Sequence, residues 1–487
     1  MQAFSIWLIL FSAVVTAHPA ADITQPPPIP AYKDSPYLNE KSRDFLLNGT
    51  NIPGVPFDIG EHTPDFCPFP LIHTNLASYI FENGPFIHQP GTYAPVRNRW
   101  AWTNLTNMIW IEQPVGTGFS QGTPNITNEE ELAAQFLGFF KNFLDTFGLY
   151  QKKVFLSGES YAGKYIPYIA DAMFKQNDTE YFDVRGILIY DPSINDNGIM
   201  LEGLRYTLLP VFRWNFDIIT LYPYPVPSMA FVDKWRGLFP FNTSFNEELH
   251  SLADSCGFTS YLKEHLVYPP KGKLPPPPSY SGSCDVVDAI WNAATLLNPC
   301  FNVYQVSTTC PTLWDTLGFP GSFEYVPAGA QVYFNRTDVQ KAINAPLTSW
   351  SECSEQDVFV DALDTSPQAS YSVLPAVIER LNRTIIAHGA LDFVLLAQGT
   401  LLTIQNMTWN GFQGFTAEPS SPLFVPYHED GPVPSYAGAG VMGTYRTERG
   451  LTYAELFLAG HMGPQNSPAA SYRLVEFLLG RIDDLSS

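Results

Sequence analysis

The stretch KVFLSGESYAGKY, residues 153 to 165, decides how this chain is read. An apolar run ends in G-E-S-Y-A-G, and KYIPYIADAMFKQ then places apolar residues at helical spacing. Strand, tight turn and helix is the local order that lifts a serine above the carboxyl edge of a sheet, as a nucleophile elbow does. Gly158 and Ala162 keep the flanks of Ser160 small, with Gly163 beyond, so that the turn clears its neighbours. The helix that follows aims its N-terminus at Ser160, which favours developing negative charge. Ser160 as a plain helix cap accounts equally well for the motif taken alone.

Outward from this point the chain alternates. NMIWIEQ, residues 107 to 113, reads as a strand with a Gly-rich loop after it. EEELAAQFLGFFKNFLDTF, residues 129 to 147, has helical spacing and an acidic first turn. KKVFLSG and VRGILIY (184 to 190) are further strands, RTIIAHGALDF and LTYAELFLAGHMG each begin as one, and FNRTDVQKAINAP is a helix from Thr337. SPAASYRLVEFLLGRI closes the chain as a helix with Ser467 as its cap and Pro468 at its first position. Strands alternating with helices predict an α/β fold with a mostly parallel sheet covered on both faces. Residues from about 197 to 330 break the rhythm, hold four of the six cysteines, and read as a disulfide-tied insertion in a single catalytic domain over 18–487.

A serine nucleophile needs a base and an orienting acid. In hydrolases of this architecture they follow in the order Ser, Asp, His. Asp392 in AHGALDF and His461 in FLAGHMGPQ both fall just after an expected strand, where a sheet's catalytic edge lies. A turn aspartate and a capping histidine explain each residue singly. All three in the right order on strand-end loops is far harder to obtain by chance.

Composition narrows the class. The 487 residues are 45% hydrophobic and 14% aromatic, and the formal charge is −21. That acidity disfavours nucleic acid and anionic membrane surfaces as partners. It suits a protein working in acid, where many carboxylates are partly neutralised. MQAFSIWLILFSAVVTAHPA resembles a secretory signal peptide over residues 1–17, with Val15-Thr16-Ala17 at the cleavage site. It is too short to read as a membrane span, and no span is expected after its removal. Eight sequons, at Asn48, Asn104, Asn125, Asn177, Asn242, Asn335, Asn382 and Asn406, point to a glycosylated protein. The cysteines, Cys67, Cys256, Cys284, Cys300, Cys310 and Cys353, would then be oxidised, in any of fifteen complete pairings. Zinc-site spacings are absent, and neither metal nor cofactor is expected.

On ENGPF (82–86), IEQPVGTGFS (111–120), GESYAG (158–163), HGALDF (388–393) and AGHMGPQ (459–465), the chain resembles the serine carboxypeptidase family, from about Phe81 to Ile482. The resemblance implies an α/β-hydrolase fold and exopeptidase activity on peptide C-termini. It makes Ser160 the nucleophile, His461 the general base and then acid, and Asp392 the residue that orients the imidazole. Tyr161 supplies an oxyanion N–H, and Glu82, Asn83, Glu159 and Met462 bind substrate. Glu82 and Glu159 are expected close together, so that one keeps a proton in acid and donates it to the substrate carboxylate.

The chain departs from the family in one respect. The family's W-L-N-G-G-P-G-C-S-S stretch has no counterpart before ENGPF. It would supply a second oxyanion N–H, an Asn-Gly edge for the substrate carboxylate, and a cysteine for Cys353, which is then an orphan unless Cys67 reaches it. The early strands of the sheet are expected to be incomplete. Two explanations follow: an exon lost from the coding sequence as assembled, or a defective product. The leading function is an acid serine carboxypeptidase, secreted or delivered to a vacuole or lysosome. The alternatives are an impaired relative acting as a peptide-binding scaffold, and an acyltransferase of the same family.

Overall fold

Every strand near Ser160 is a short apolar run whose alternate residues face opposite ways, and this allows a sheet to be buried on both sides. The computed structural model describes residues 39–43, 52–55, 70–73, 77–89, 92, 94–195, 226–278, 283–317, 331–352, 354, 357–428 and 438–487. Among them one sheet of eight strands forms: β1 (Pro70–His73), β2 (Asn107–Trp110), β3 (Lys153–Glu159), β4 (Asp183–Tyr190), β5 (Thr384–Gly389), β6 (Ser421–Val425), β7 (Gly440–Glu448) and β8 (Leu451–Leu456). The spatial order is β6-β7-β8-β5-β4-β3-β1-β2. All neighbours from β8 to β2 are parallel, while β7 pairs antiparallel with both β6 and β8. The expected mostly parallel α/β sheet is therefore present. The first expected strand is shorter than its apolar pattern suggested, because pairing with β1 ends at Trp110. On that side β2 is the outermost strand among the described residues.

Helices cover both faces. On one face α1 (Glu129–Phe147) and α2 (Ala162–Gln176) pack Leu132, Phe136, Phe140, Ile166 and Ile169 against Val154, Leu156, Ile187 and Ile386. The Asn128 side chain caps α1 by accepting the N–H of Glu131, and Gly148 ends it at φ 65°, a left-handed cap that glycine tolerates. On the other face α10 (Pro468–Leu478) packs Leu474, Val475 and Leu478 against Phe155, Leu188, Ile385 and Ala387. The last helix begins at Pro468 as expected, but Ser467 makes no side-chain cap bond. Its hydroxyl is buried without a partner, because the preceding turn Gly463–Asn466 already takes the chain into the helix through Ser467 N–H and Gly463 O.

The insertion contributes α3 (Ser228–Lys234), α4 (Thr243–Ser255), α5 (Phe258–His265) and α6 (Val286–Leu297). Two disulfides tie it, Cys256–Cys284 and Cys300–Cys310. Cys67, Cys353, the leader and residues 196–225 lie outside the described residues. The insertion is joined to the sheet, since Val303 and Val306 share a buried cluster with Leu391, Phe393 and Leu396 of the loop after β5. Further helices are α7 (Thr337–Ala342), which starts at Thr337 as expected, α8 (Leu374–Arg380) and α9 (Ala397–Asn406).

Candidate active site

Strand register brings the candidate residues to one edge. Glu159 pairs with Tyr190, Tyr190 with Ala387, and Ala387 with Ala454, so β3, β4, β5 and β8 end nearly level. The residues just past those ends are Ser160, Asp191, the turn leading to Asp392, and the loop leading to His461.

Ser160 has φ 59°, a left-handed conformation that a side chain occupies at a cost of about 1–3 kcal/mol. Three backbone hydrogen bonds hold it there. Its N–H donates to Tyr190 O at 3.0 Å, and its carbonyl accepts from Gly163 and Ser193, each at 2.9 Å. A Cβ on Gly163 would lie 2.7 Å from Pro192 and Ser193 atoms, which is why the third small residue of the motif is a glycine. Tyr161 directly precedes α2, so its N–H belongs to the positive end of that helix.

Asp392 is fully buried, and its Oδ2 accepts from His461 Nδ1 at 2.8 Å. The same carboxylate accepts the N–H groups of Val394 at 2.7 Å and Leu395 at 3.3 Å, which fixes its plane. Burial disfavours the His461 cation, yet the charge and hydrogen bond of Asp392 prevail and hold its pKa above the ordinary 6.5. The insertion completes the mounting: His461 N–H donates to Tyr304 O at 2.7 Å, and the Tyr304 ring stands edge-on to the imidazole at 5.3 Å. A Cβ on Gly389 would meet Gly460 O at 2.0 Å, so the Asp392 and His461 loops touch only because that residue is glycine. Ser160 and His461 occupy the same edge without a hydrogen bond between them.

Glu82 and Glu159, 77 positions apart in sequence, are brought side by side at this edge. Burial, then the Glu82 charge, pushes Glu159 well above the ordinary carboxyl range. Asn83 is buried, accepting from Trp110 Nε1 at 2.8 Å, while Asn98 Nδ2 donates to the Glu82 and Gly84 carbonyls and fixes the turn. Met462 is half-buried at the start of the short helix after His461.

Several residues at this edge went unread in the sequence. Asp191, His388 and Asp392 offer ligand atoms within 4.8 Å of one another. Both aspartates already meet an imidazole nitrogen, so the group is two carboxylate–imidazole pairs in place of a cation cage. Glu352 is half-buried near Glu82 and Asp315, with its pKa raised by desolvation and then by those charges. Its only sequence signal is its place in SWSECS. Among the sequons, Asn104, Asn125, Asn177, Asn242 and Asn382 are exposed. Asn335 is half-buried, its Nδ2 donating to Trp350 O and its Oδ1 accepting Trp350 N–H; Asn406 is half-buried, and Asn48 lies outside the described residues.

With this geometry in place, the family profile described as serine carboxypeptidase matches residues 74–220 and 236–481. The chain belongs to the serine carboxypeptidase family. A "Probable serine carboxypeptidase" of Arthroderma benhamiae is 51% identical over 510 residues, covering 96% of this chain and 92% of that protein. "Serine-type carboxypeptidase F" of Aspergillus niger is 42% identical and covers 93% of this chain and 90% of its own. A prohormone-processing carboxypeptidase from Saccharomyces cerevisiae superposes with a TM-score of 0.62 at 18% identity, covering 92% of this chain and 98% of that one, a likeness of fold.

Proposed function

We propose that this serine carboxypeptidase removes residues from peptide C-termini at acidic pH through an acyl-enzyme. The observation that carries the reading is the buried Asp392–His461 hydrogen bond on the strand edge that also bears the strained Ser160. Ser160 Oγ attacks the scissile carbonyl and His461 Nε2 takes its proton. Asp392 holds the imidazole in the tautomer with hydrogen on Nδ1 and stabilises the cation that forms. His461 then returns the proton to the leaving amino acid, and water repeats the sequence on the ester. The Tyr161 N–H faces the developing oxyanion at the head of α2. Glu159, kept protonated by burial and by Glu82, donates to the free carboxylate of the peptide, with Asn83 and Met462 beside it. This makes cleavage terminal, since an internal peptide bond brings no carboxylate to the pair.

The second oxyanion donor is the weak point. Only residues 74–76 separate β1 from the helix Ala77–Phe81, and they lie outside the described residues. The alignment to the Arthroderma relative runs over 510 residues while using 96% of a 487-residue chain, so it opens gaps in this one. Loss of one donor lowers kcat by a factor of about 10² to 10³ in comparable sites. Sequencing the transcript separates a lost exon from a natural deletion. We assign Asn104, Asn125, Asn177, Asn242 and Asn382 as the accessible glycosylation sites. Delivery is through the secretory pathway, outward or to a vacuole or lysosome, after removal of residues 1–17. No helix among the described residues is long and apolar enough to cross a membrane.

The test is a fluorophosphonate probe applied to the purified protein at acidic pH, followed by peptide mapping. Labelling of Ser160 that disappears in His461→Ala supports the assignment. A folded protein that takes no label refutes it and leaves the scaffold reading.

A further inference from the structure

Asp191 and His388 are two ionisable side chains with no exposed surface, and nothing in the reaction above uses them. Asp191 stands one residue past β4 at φ 42°, in the left-handed region. Its N–H donates to Ala387 O at 2.8 Å. Its Oδ1 receives two hydrogen bonds from β5, from His388 Nδ1 at 2.6 Å and from the N–H of Gly389 at 2.8 Å. Asp191 Oδ2 and His388 Nε2 have no hydrogen-bond partner. A buried ionic pair is seldom a better core than apolar groups of the same size. Its place in the fold needs another reason, and Asp392 is the neighbour that supplies one.

Two lines of contact connect the pair to Asp392. The first is mechanical. Asp191 grips the N–H of Gly389, and the Gly389 carbonyl accepts the N–H of Asp392 at 3.3 Å across a tight turn. The second is electrostatic. The His388 imidazole lies in the same cluster as both carboxylates, with ligand atoms of all three within 4.8 Å of one another. Along the sheet edge the groups run Asp191, His388, Asp392, His461, so carboxylates and imidazoles alternate.

We propose that Asp191 and His388 form a second carboxylate–imidazole pair that positions Asp392 for His461 and places a compensating positive charge beside it. The proposal rests on the reading of Asp392 as the orienting carboxylate. Both are positioning residues, since neither reaches the scissile bond in the mechanism given. The charged groups facing them are Asp392 on the following turn, His461 on the loop after β8, Glu455 on β8 opposite His388 in register, and Glu159 at the end of β3. Lys234 of α3 is salt-bridged to Glu455. Burial raises Asp191 to about 6, against the opposing pull of His388. Burial lowers His388, but the Asp191 charge outweighs it and leaves the imidazole raised. Below about pH 6 the pair therefore carries an extra proton, and its net positive charge sits beside the Asp392–His461 couple.

The experiment compares wild type, Asp191→Asn and His388→Gln on an ester substrate with an amidated C-terminus, so that the Glu82–Glu159 pair does not contribute. Asn keeps an acceptor for the Gly389 N–H and removes the charge. We expect kcat to fall about 10- to 100-fold with KM little changed. The acid limb of the kcat profile should move by about half a pH unit or more, downward in Asp191→Asn, where an anion that helps hold the His461 proton is lost, and upward in His388→Gln, where a nearby cation is lost. A loss of packing alone would not move that limb. A folded Asp191→Asn protein with kcat within about threefold of wild type and an unmoved limb overturns the proposal. If that variant does not fold, His388→Gln is judged by the same two readouts. If neither folds, proton NMR of the wild type in acid decides. A second far-downfield imidazole N–H besides that of His461 supports the pair, and a single one refutes it. Asp392→Asn runs alongside as a control. If it costs less than about a thousandfold in kcat, the triad reading itself has failed, not only this inference.

Discussion

The sharpest consequence of the site concerns Glu82 and Glu159, and the perturbation is to replace both by glutamine. Glutamine has the same shape, keeps an N–H₂ donor for a substrate carboxylate, and cannot ionise. In the native protein Glu159 holds its proton well past the ordinary carboxyl range, first through burial and then through the Glu82 charge. Once pH strips that proton, a peptide carboxylate must approach a half-buried anion. At about 4 Å and an effective dielectric near 20 that repulsion is about 4 kcal/mol. The lost charged hydrogen bond adds about 1.5–3 kcal/mol. Water entering the opened site offsets much of this, and about 3 kcal/mol, roughly a hundredfold in KM, is a conservative remainder. KM for an N-blocked dipeptide should therefore climb at least about a hundredfold from acid to mildly alkaline pH in the wild type. It should stay flat in Glu82→Gln/Glu159→Gln, with kcat little altered. The assay is initial-rate kinetics across pH with the free-acid dipeptide and its C-terminal amide side by side. A double variant that keeps the wild-type climb in KM refutes the carboxyl-pair mechanism. Stability moves with the same proton. Because the folded pKa of Glu159 is raised, its contribution is complete below the unfolded value and is lost as pH rises toward the folded one. The double variant should gain melting temperature over wild type at neutral pH and not in acid.

Two further tests address the scaffold. Glu129, the first residue of α1, is pushed up to about 9 by burial and then by the Asp364 charge, with Lys164 opposing. The helix N-terminus favours the charged form by no more than about 2 kcal/mol, so burial wins. Its stabilisation is complete below the ordinary 4.5 and is lost as pH climbs toward 9, which costs up to about 4 kcal/mol near pH 7.5. Glu129→Gln should therefore raise Tm near pH 7.5 and leave it unchanged near pH 4, and equal shifts at both would show that the titration is not responsible. The Cys256–Cys284 bridge closes a 28-residue separation and Cys300–Cys310 one of 10. Replacing the first pair by serine should cost about 3–4 kcal/mol and the second about 3 kcal/mol, read from the urea midpoint with the slope fitted for each variant. An unmoved midpoint would mean that the insertion draws its stability from the Val303 and Phe393 cluster alone.

Much of this protein was legible as a string of residues. The helix over 129–147 announces itself through apolar spacing and an acidic first turn, and it forms over that range. The strand, G-E-S-Y-A-G and helix sequence around Ser160 yields β3, a left-handed serine and α2. Asp392 and His461 follow strands that form where their apolar runs lie. These readings succeed because periodicity, turn chemistry and residue size act within a few positions of the backbone. Side-chain partners 69 positions apart, as in Asp392 with His461, could be ordered by role but not measured.

Tertiary structure decided what local pattern cannot encode. His388 reads as one more residue in an apolar strand, and only the register of β4 against β5 brings Asp191, 197 positions away, to its Nδ1. Tyr304 sits in a segment with no regular spacing, yet its carbonyl anchors His461 because the insertion folds back over the strand edge. Asn335 satisfies the sequon pattern, but its amide is committed to Trp350, a commitment made 15 positions away. Ser467 has the chemistry of a helix cap and makes no cap bond, its backbone standing at φ −134° and ψ 63°. Local sequence sets which conformation each segment prefers. Which buried polar groups meet depends on strand register and loop closure, and these are settled only when the whole core is assembled.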